Sequence, residues 1–334
     1  MNMFLESLRG GLEDAMERQQ NLFLLGEDLL DPYGGAFKVT QGLSTRFPER
    51  VLTTPISEAA IVGLANGMAL RGLYPVVEIM FGDFITLAAD QIINYAAKFR
   101  QMYNFQVNLP LVIRTPMGGG RGYGPTHSQS LERVFLGIPG LNVVAPSHFH
   151  DPGRLLAHAI LRDLGPVLFL EHKLLYSARL ALEPGAPLRL ESRAEDSGYP
   201  TAIVKNYTDE RPDVTLIAYG GVSLMLAALM EKMAAEEIRI LACLPSALQP
   251  LPFETMTSCC AASGRVIIIE EGPLSFGWGA EAAARLTESL WGRLLAPIRR
   301  VAASDTIIPA ARNLEKAVLP SLSDIETAIF EVIS

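Results

Sequence analysis

The feature that most constrains the fold is an alternation over residues 1–175. Short runs rich in Val, Ile and Leu are separated by stretches of helical period. The runs are NLFLLG (21–26), VLTTP (51–55), YPVVEIM (74–80), LPLVIRTP (109–116), LNVVAP (141–146) and PVLFLEH (166–172). Between them, helical patterns fall at about 57–71, 84–103, 130–137 and 150–163. Strand runs that are apolar on both faces and separated by helices predict an α/β fold. Its sheet is open, mostly parallel and covered on both sides.

The rhythm breaks at 176–211. There Pro, Gly and charges occur without a sustained period and predict a linker. It resumes at DVTLIAYG (213–220), so 212–334 is expected to form a second, smaller open parallel sheet. A chain of 334 residues is long enough for two such cores. The net charge of −8, without a basic stripe or zinc-finger spacing, excludes a nucleic-acid binder. Cys243, Cys259 and Cys260 fit no disulfide framework and read as reduced, buried thiols. The opening MNMFLESLRGGLEDAMERQQ reads as an amphipathic helix rather than a signal or transit sequence. No run is long enough to span a bilayer, and a cytoplasmic protein is expected.

Three glycine-rich stretches invite a phosphate-binding reading: DPYGGAF (31–37), GGGRGYG (118–124) and EGPLSFGWGAE (271–281). None fits a P-loop or a dinucleotide fingerprint. Of the five histidines, His148 and His150 lack acids or cysteines at ligand spacing, and His158 has apolar neighbours. His127 differs, because it follows a strand within the glycine-rich loop, at the sheet edge where ligands bind in open α/β folds. Glu58 opens an otherwise small and apolar helix. An acid after Ser57 is ordinary helix-start chemistry, and a functional reading stands beside it. Gly63 and Gly67 allow close approach of a helix, from this chain or from a second one.

GED (26–28), YGGAFKVTQGL (33–43), residues 53–100, LPLVIRTPMGGGRGYGPTHSQS (109–130), PGLNVVAPS (139–147) and PVLFLEHKLLY (166–176) together resemble one family. It is the beta subunit of the thiamine-diphosphate-dependent decarboxylase component of 2-oxo acid dehydrogenase complexes. That group includes the pyruvate, branched-chain and acetoin types. The second half is similar, more loosely, to the C-terminal domain of transketolase. The resemblance implies a transketolase-like pyrimidine-binding domain over 1–175 and a transketolase C-terminal-like domain over 212–334.

The resemblance also implies roles. The acid at Glu58 would bond a ring nitrogen of the cofactor's aminopyrimidine, sharing a proton with it from a poorly solvated site. Met80 and Phe84 would pack on that ring. His127 would stand near the substrate and an incoming lipoyl group, moving protons near neutral pH. Backbone carbonyls around the stretch ending in Asp163 would hold a monovalent cation, K⁺ in type. The metal-binding G-D-G pattern of thiamine-diphosphate enzymes is absent: Gly82-Asp83 is followed by Phe84. A partner alpha chain must therefore supply Mg²⁺ and the diphosphate grip, giving an α2β2 assembly.

The chain departs from the family at Pro125-Thr126, at ACLPSALQPL (242–251) and at Glu270-Glu271. These departures suggest a pathway-specific relative that loads an acyl unit onto a lipoyl or carrier protein. Two rival readings are the C-terminal half of a split transketolase, which would need basic residues for a sugar phosphate, and a non-catalytic scaffold, which would have no use for Glu58.

Overall fold

The computed structural model describes residues 3–208 and 210–334. The six apolar runs become β1 (Leu22–Gly26), β2 (Val51–Thr53), β3 (Tyr74–Glu78), β4 (Val112–Met117), β5 (Asn142–Val144) and β6 (Val167–His172). They pair in parallel in the order β5-β6-β4-β3-β1-β2. Alternation decides which side each residue covers. Leu24, Val76, Val112 and Phe169 face α1 (Phe4–Arg18) and α5 (Pro152–Leu161). Leu25, Val77, Ile113 and Leu168 face α3 (Glu58–Leu70). Burial of each such side chain contributes about 1.5–3 kcal/mol, so both faces are anchored.

α2 (Leu43–Arg46) is a single turn before β2. The helical pattern at 84–103 is broken into a 3₁₀ turn (Gly82–Ala88), a π stretch (Gln91–Ala96) and α4 (Ala97–Met102). The helix expected at 130–137 is only a 3₁₀ turn, Glu132–Val134. Gly137, at φ +77°, ends it, and the Glu132 side chain turns inward to Tyr219.

The segment 176–211, expected as a linker, contains β7 (Arg189–Arg193) and β8 (Thr201–Lys205). They open a second sheet, which continues with β9 (Val214–Ala218), α6 (Ser223–Ala235) and β10 (Ile240–Pro245). Charges along RLESR disguise a solvent-facing edge strand, while TAIVK is a short buried run hemmed in by Gly198 and Pro200.

β11 (Ala247–Gln249) leaves the second unit and pairs antiparallel with β5, extending the first sheet to seven strands. Gln249 fixes the crossing: its amide nitrogen donates to the carbonyls of Ile138 and Leu141, and its oxygen accepts from the Gly137 N–H. α7 (Phe253–Ser263), β12 (Val266–Pro273), α8 (Trp278–Ser289), β13 (Arg299–Ala303), α9 (Arg312–Val318) and α10 (Leu322–Ile333) complete the chain. The second sheet runs β13-β12-β9-β10-β8-β7, with only β7 and β8 antiparallel to their neighbours. Cys243, Cys259 and Cys260 are buried free thiols. No helix is long and apolar enough to cross a membrane among the described residues.

Candidate functional site

Parallel pairing brings the carboxyl ends of β1, β2, β3, β4 and β6 to one edge of the first sheet. The residues just past those ends are Glu27, the approach to Glu58, Met80 to Phe84, the loop leading to His127, and Lys173.

Glu58 is the first residue of α3 and is only 6% exposed, in a helix whose other residues are largely small and apolar. Ser57 makes no side-chain cap. Among the described residues no hydrogen bond or ion pair engages the Glu58 carboxylate. Its neighbour is another acid: burial first, then the charges of Glu58 and Asp28, raise the pKa of Glu27. A buried acid facing an acid is unfavourable without a donor or cation between them. The geometry therefore asks for a ligand bearing N–H groups.

Around His127 the walls are aromatic. Its ring lies edge-on to Phe81 at 4.8 Å and to Phe84 at 5.2 Å. Phe81 also meets Phe37 and Tyr123 edge-on, and Phe37 stacks on Tyr176 at 5.0 Å. Beneath His127, the buried Lys173 Nζ donates to the His127 carbonyl and lies over the rings of Phe81 and Tyr123. Burial holds that ammonium down to about 8. Thr126 Oγ1 is 3.0 Å from His127 Nδ1. Asp83 Oδ1 accepts both N–H groups of Gln129 and so fixes the far side of the loop.

Two of the three glycine-rich stretches close on carboxylates of the chain itself. In GGGRGYG, Gly119 N–H donates to Glu271 Oε1 (2.7 Å), and Gly120 and Gly122 donate to Glu315 (3.0 and 2.8 Å). In EGPLSFGWGAE, Gly279 N–H donates to Glu270. In DPYGGAF, a Cβ on Gly35 would sit 2.6 Å from Glu78 Oε1, and Asp31 gathers Gly42, Ser44 and Thr45. Gly118 shows why glycine is needed: at φ +92°, a Cβ there would lie 2.2 Å from the His172 ring. The amides of Gly119, Gly120, Gly122 and Gly279 are thus taken by internal carboxylates, and those of Gly34 and Gly35 by the carbonyls of Leu30 and Asp28.

His172 lies where the two units meet. Leu174 N–H donates to its Nδ1, so Nε2 carries the proton donated to Glu271 Oε2 (2.8 Å). Burial opposes the Glu271 charge, but His172, Gly119 and Ser130 outweigh it and hold the carboxyl down at about 2. Nearby Glu132, bonded to Tyr219 (2.5 Å), is instead pushed up to about 7 by burial. Because the folded state holds this proton more tightly than the unfolded chain, stability from Glu132 is full below pH 4.5. It is lost as pH rises through about 7. Glu132→Gln mimics the protonated form. Chemical denaturation should show it more stable than the parent by roughly 3 kcal/mol at pH 8, with the gain gone at pH 4.5. Equal gains at both pH values would contradict this.

Phe84 and His127 come together, Met80 is half-buried just past β3, and Glu58 stands with Glu27. No hydrogen bond links Glu58 to His127 among the described residues. Asp163 lies elsewhere. Tyr199 O–H donates to its carboxylate, Asn142 approaches at 3.5 Å, and burial raises its pKa. His148 and His150 are buried against Ser223 and Ser147, and burial lowers both to about 4. The reading of the sequence missed Glu27, Phe81, Tyr123 and Lys173. Glu27 lies in GED (26–28) and Phe81 within residues 53–100, each next to a strand end, which was the available signal.

A model of the transketolase pyrimidine-binding domain matches residues 4–178, and one of the transketolase C-terminal domain matches residues 205–325. The chain is 36% identical to the mitochondrial pyruvate dehydrogenase E1 component subunit beta-1 of Arabidopsis thaliana, covering 97% of this chain and 87% of that one. It is also 36% identical to the pyruvate dehydrogenase E1 component subunit beta of Rickettsia bellii, over 98% and 97%. A third relative at 36% is the 3-methyl-2-oxobutanoate dehydrogenase subunit beta of Mycobacterium tuberculosis, over 95% and 87%. Among solved structures, a split-gene transketolase described as an inactive beta4 tetramer superposes with a TM-score of 0.72 over 99% of both chains, at 18% identity. That likeness speaks for the fold alone.

Proposed function

Because the chain belongs to the family of 2-oxo acid dehydrogenase E1 beta subunits, we propose that it supplies the pyrimidine-binding half of a thiamine-diphosphate site. The enzyme would decarboxylate a pyruvate-like 2-oxo acid and pass the acyl unit to a lipoyl or carrier domain. The observation that carries this is the buried, unpartnered carboxylate of Glu58 beside a second acid. A protonated ring nitrogen is the partner it lacks, so the residues fit the group.

When bound, thiamine diphosphate supplies a thiazolium carbon able to attack the 2-oxo carbon and to accept electrons as CO₂ leaves. The chain's own residues do the rest. Glu58 holds a proton at the ring nitrogen, which a carboxyl can share and an amide cannot. Met80, Phe81 and Phe84 cover the flat ring and keep water out, which strengthens that bond. His127, engaged at Nδ1 by Thr126, keeps Nε2 for holding or moving a proton at the substrate.

Asp83 Oδ1 is committed to Gln129, and no cluster of metal-ligating side chains occurs among the described residues. An alpha subunit would therefore hold Mg²⁺ and the diphosphate. The approach to the site supports such an assembly, α2β2 in form. Ile56 is 82% exposed, Leu87 61% and Leu64 55%, and a Cβ on Gly67 would meet nothing within 4 Å. Gly63, by contrast, faces Gln91 of its own chain. A K⁺ ion near Asp163 would rest on main-chain oxygens, since that carboxylate is engaged, and no step above depends on it. The buried free thiols fit a reducing, cytoplasmic setting. Against a split transketolase, Arg121 is committed to the Lys173 carbonyl and to Tyr123 rather than free for a sugar phosphate.

Calorimetric titration of thiamine diphosphate with Mg²⁺ tests this, on the chain alone and co-expressed with a candidate alpha subunit. Binding and pyruvate decarboxylation are expected only in the mixed sample. Tight binding by the isolated chain would overturn the divided site, and binding in neither would favour the scaffold.

A further inference from the structure

We infer that Glu315 and Glu271, both in the second unit, are positioning residues for His127: they grip the main chain of the loop that carries it. This rests on the catalytic reading of His127 given above.

Loop 118–130 leaves β4 with no regular structure of its own before the turn at Glu132. It is rich in glycine, the residue with most backbone freedom to lose, so its shape must come from outside contacts. Three of its amides are taken by two carboxylates. Glu315, 1% exposed on α9, accepts from Gly120 with one oxygen and from Gly122 with the other. Glu271, on β12, accepts from Gly119 and from Ser130 Oγ (2.9 Å), so it holds both ends of the loop at once. A charged acceptor makes each of these bonds shorter and stronger than a neutral one would. Glu271 is itself oriented by His172.

Steric contact acts in the same direction. A Cβ on Gly119 would lie 2.7 Å from Leu319 Cδ1, and one on Gly122 2.9 Å from Arg312 Cγ. α9 and the residue after it therefore lie directly on the loop. Between the Gly122 and Ser130 tethers the main chain is held through the His127 carbonyl, by Lys173, and through Gln129, by Asp83 and the Gly118 N–H. The imidazole is carried on that span. Releasing the Glu315 tether leaves Phe81 and Phe84 in place but lets the ring drift against them.

The second sheet unit thus shapes the site without touching its contents. A displacement on the order of 1 Å at a reacting group costs about 10²-fold in rate. Glu315→Gln keeps one accepting oxygen but turns an NH₂ toward a glycine N–H, so one tether is lost.

The test is a double-mutant cycle in the assembled enzyme, measuring kcat and KM for pyruvate with His127→Gln, Glu315→Gln and the pair. The expected single-variant result is a kcat loss of about 10²-fold for Glu315→Gln with little change in KM. In the His127→Gln background the same change should cost nothing further, because Glu315 acts only through that ring. Losses that multiply would overturn the positioning role while leaving His127 catalytic. If His127→Gln itself keeps full turnover, the catalytic reading of His127 falls, and the positioning role with it. Should Glu315→Gln not fold, Glu315→Asp is read in the same cycle, since its shorter side chain cannot span Gly120 and Gly122. Melting temperatures identify that case.

Discussion

Glu58→Gln, assembled with its alpha chain, should lose about 10²- to 10⁴-fold in turnover while melting at a higher temperature than the parent. The two changes share one cause. The carboxylate is buried, has no bonding partner among the described residues and faces Glu27. In the chain without ligand it is a liability: burial already raises the Glu27 pKa, and the Glu58 charge raises it further. The isosteric amide removes that repulsion and leaves shape and helix start unchanged. What it cannot do is hold a transferable proton at a ring nitrogen. A position that costs stability and is retained for chemistry shows this pairing of lost activity and gained stability. Steady-state decarboxylation and thermal melting on the same preparation check it. Unchanged turnover would remove Glu58 from the mechanism, and a lowered melting point would return it to an ordinary helix-start role.

How far the sequence disclosed this site depended on what each residue contacts. Glu58 was legible through the family resemblance, since an acid opening a helix is ordinary when taken alone. His127 was legible because it follows a strand within a loop. The aromatic wall was half legible: Phe84 was expected, but Phe81, the residue after Met80, makes the closer contact with His127. Lys173 was not legible at all. Its role comes from packing under a carbonyl far away in the chain, and local patterns carry no such information.

The glycine-rich stretches show the same limit from the other side. Their composition announces free main-chain amides, and phosphate was the natural partner to consider. For GGGRGYG the partners turn out to be Glu271 and Glu315, well over a hundred residues downstream. Of Glu270-Glu271, noted in the sequence only as a departure from relatives, Glu271 proves to hold the junction between the two units, while Glu270 pairs with Arg300 inside the second. The other difference, strands β7 and β8 within 176–211, has a simpler origin: β7 is an edge strand dressed with charges and without a period-2 apolar signal, and β8 is a short buried run between Pro200 and polar residues.

Arg114 carries the largest expected effect on stability, and nothing in LPLVIRTP singled it out. It is 1% exposed on β4, with Nε and Nη2 donating to Glu171 on β6 (2.8 and 2.5 Å) and Nη1 donating to Glu78 on β3. Tyr176 O–H completes the group by donating to Glu171 at 2.6 Å. Arg114→Met should destabilise the chain by about 3–5 kcal/mol, because two buried carboxylates lose their counter-charge. The penalty should shrink in acid. Burial already raises the Glu78 pKa, and without Arg114 it takes up a proton more readily. A raised folded-state pKa gives stability that is present at low pH and lost as pH rises. Adding Glu78→Gln and Glu171→Gln should then recover most of the loss, since a neutral set needs no counter-charge. The defect should also reach the site. Tyr176 stacks on Phe37, Phe37 packs on Phe81, and Phe81 packs on His127, so the triple variant is expected to fold well but turn over slowly. Denaturant unfolding at pH 5 and 8, with kcat measured on the triple variant, checks both parts. A pH-independent loss would show that Arg114 acts through packing alone.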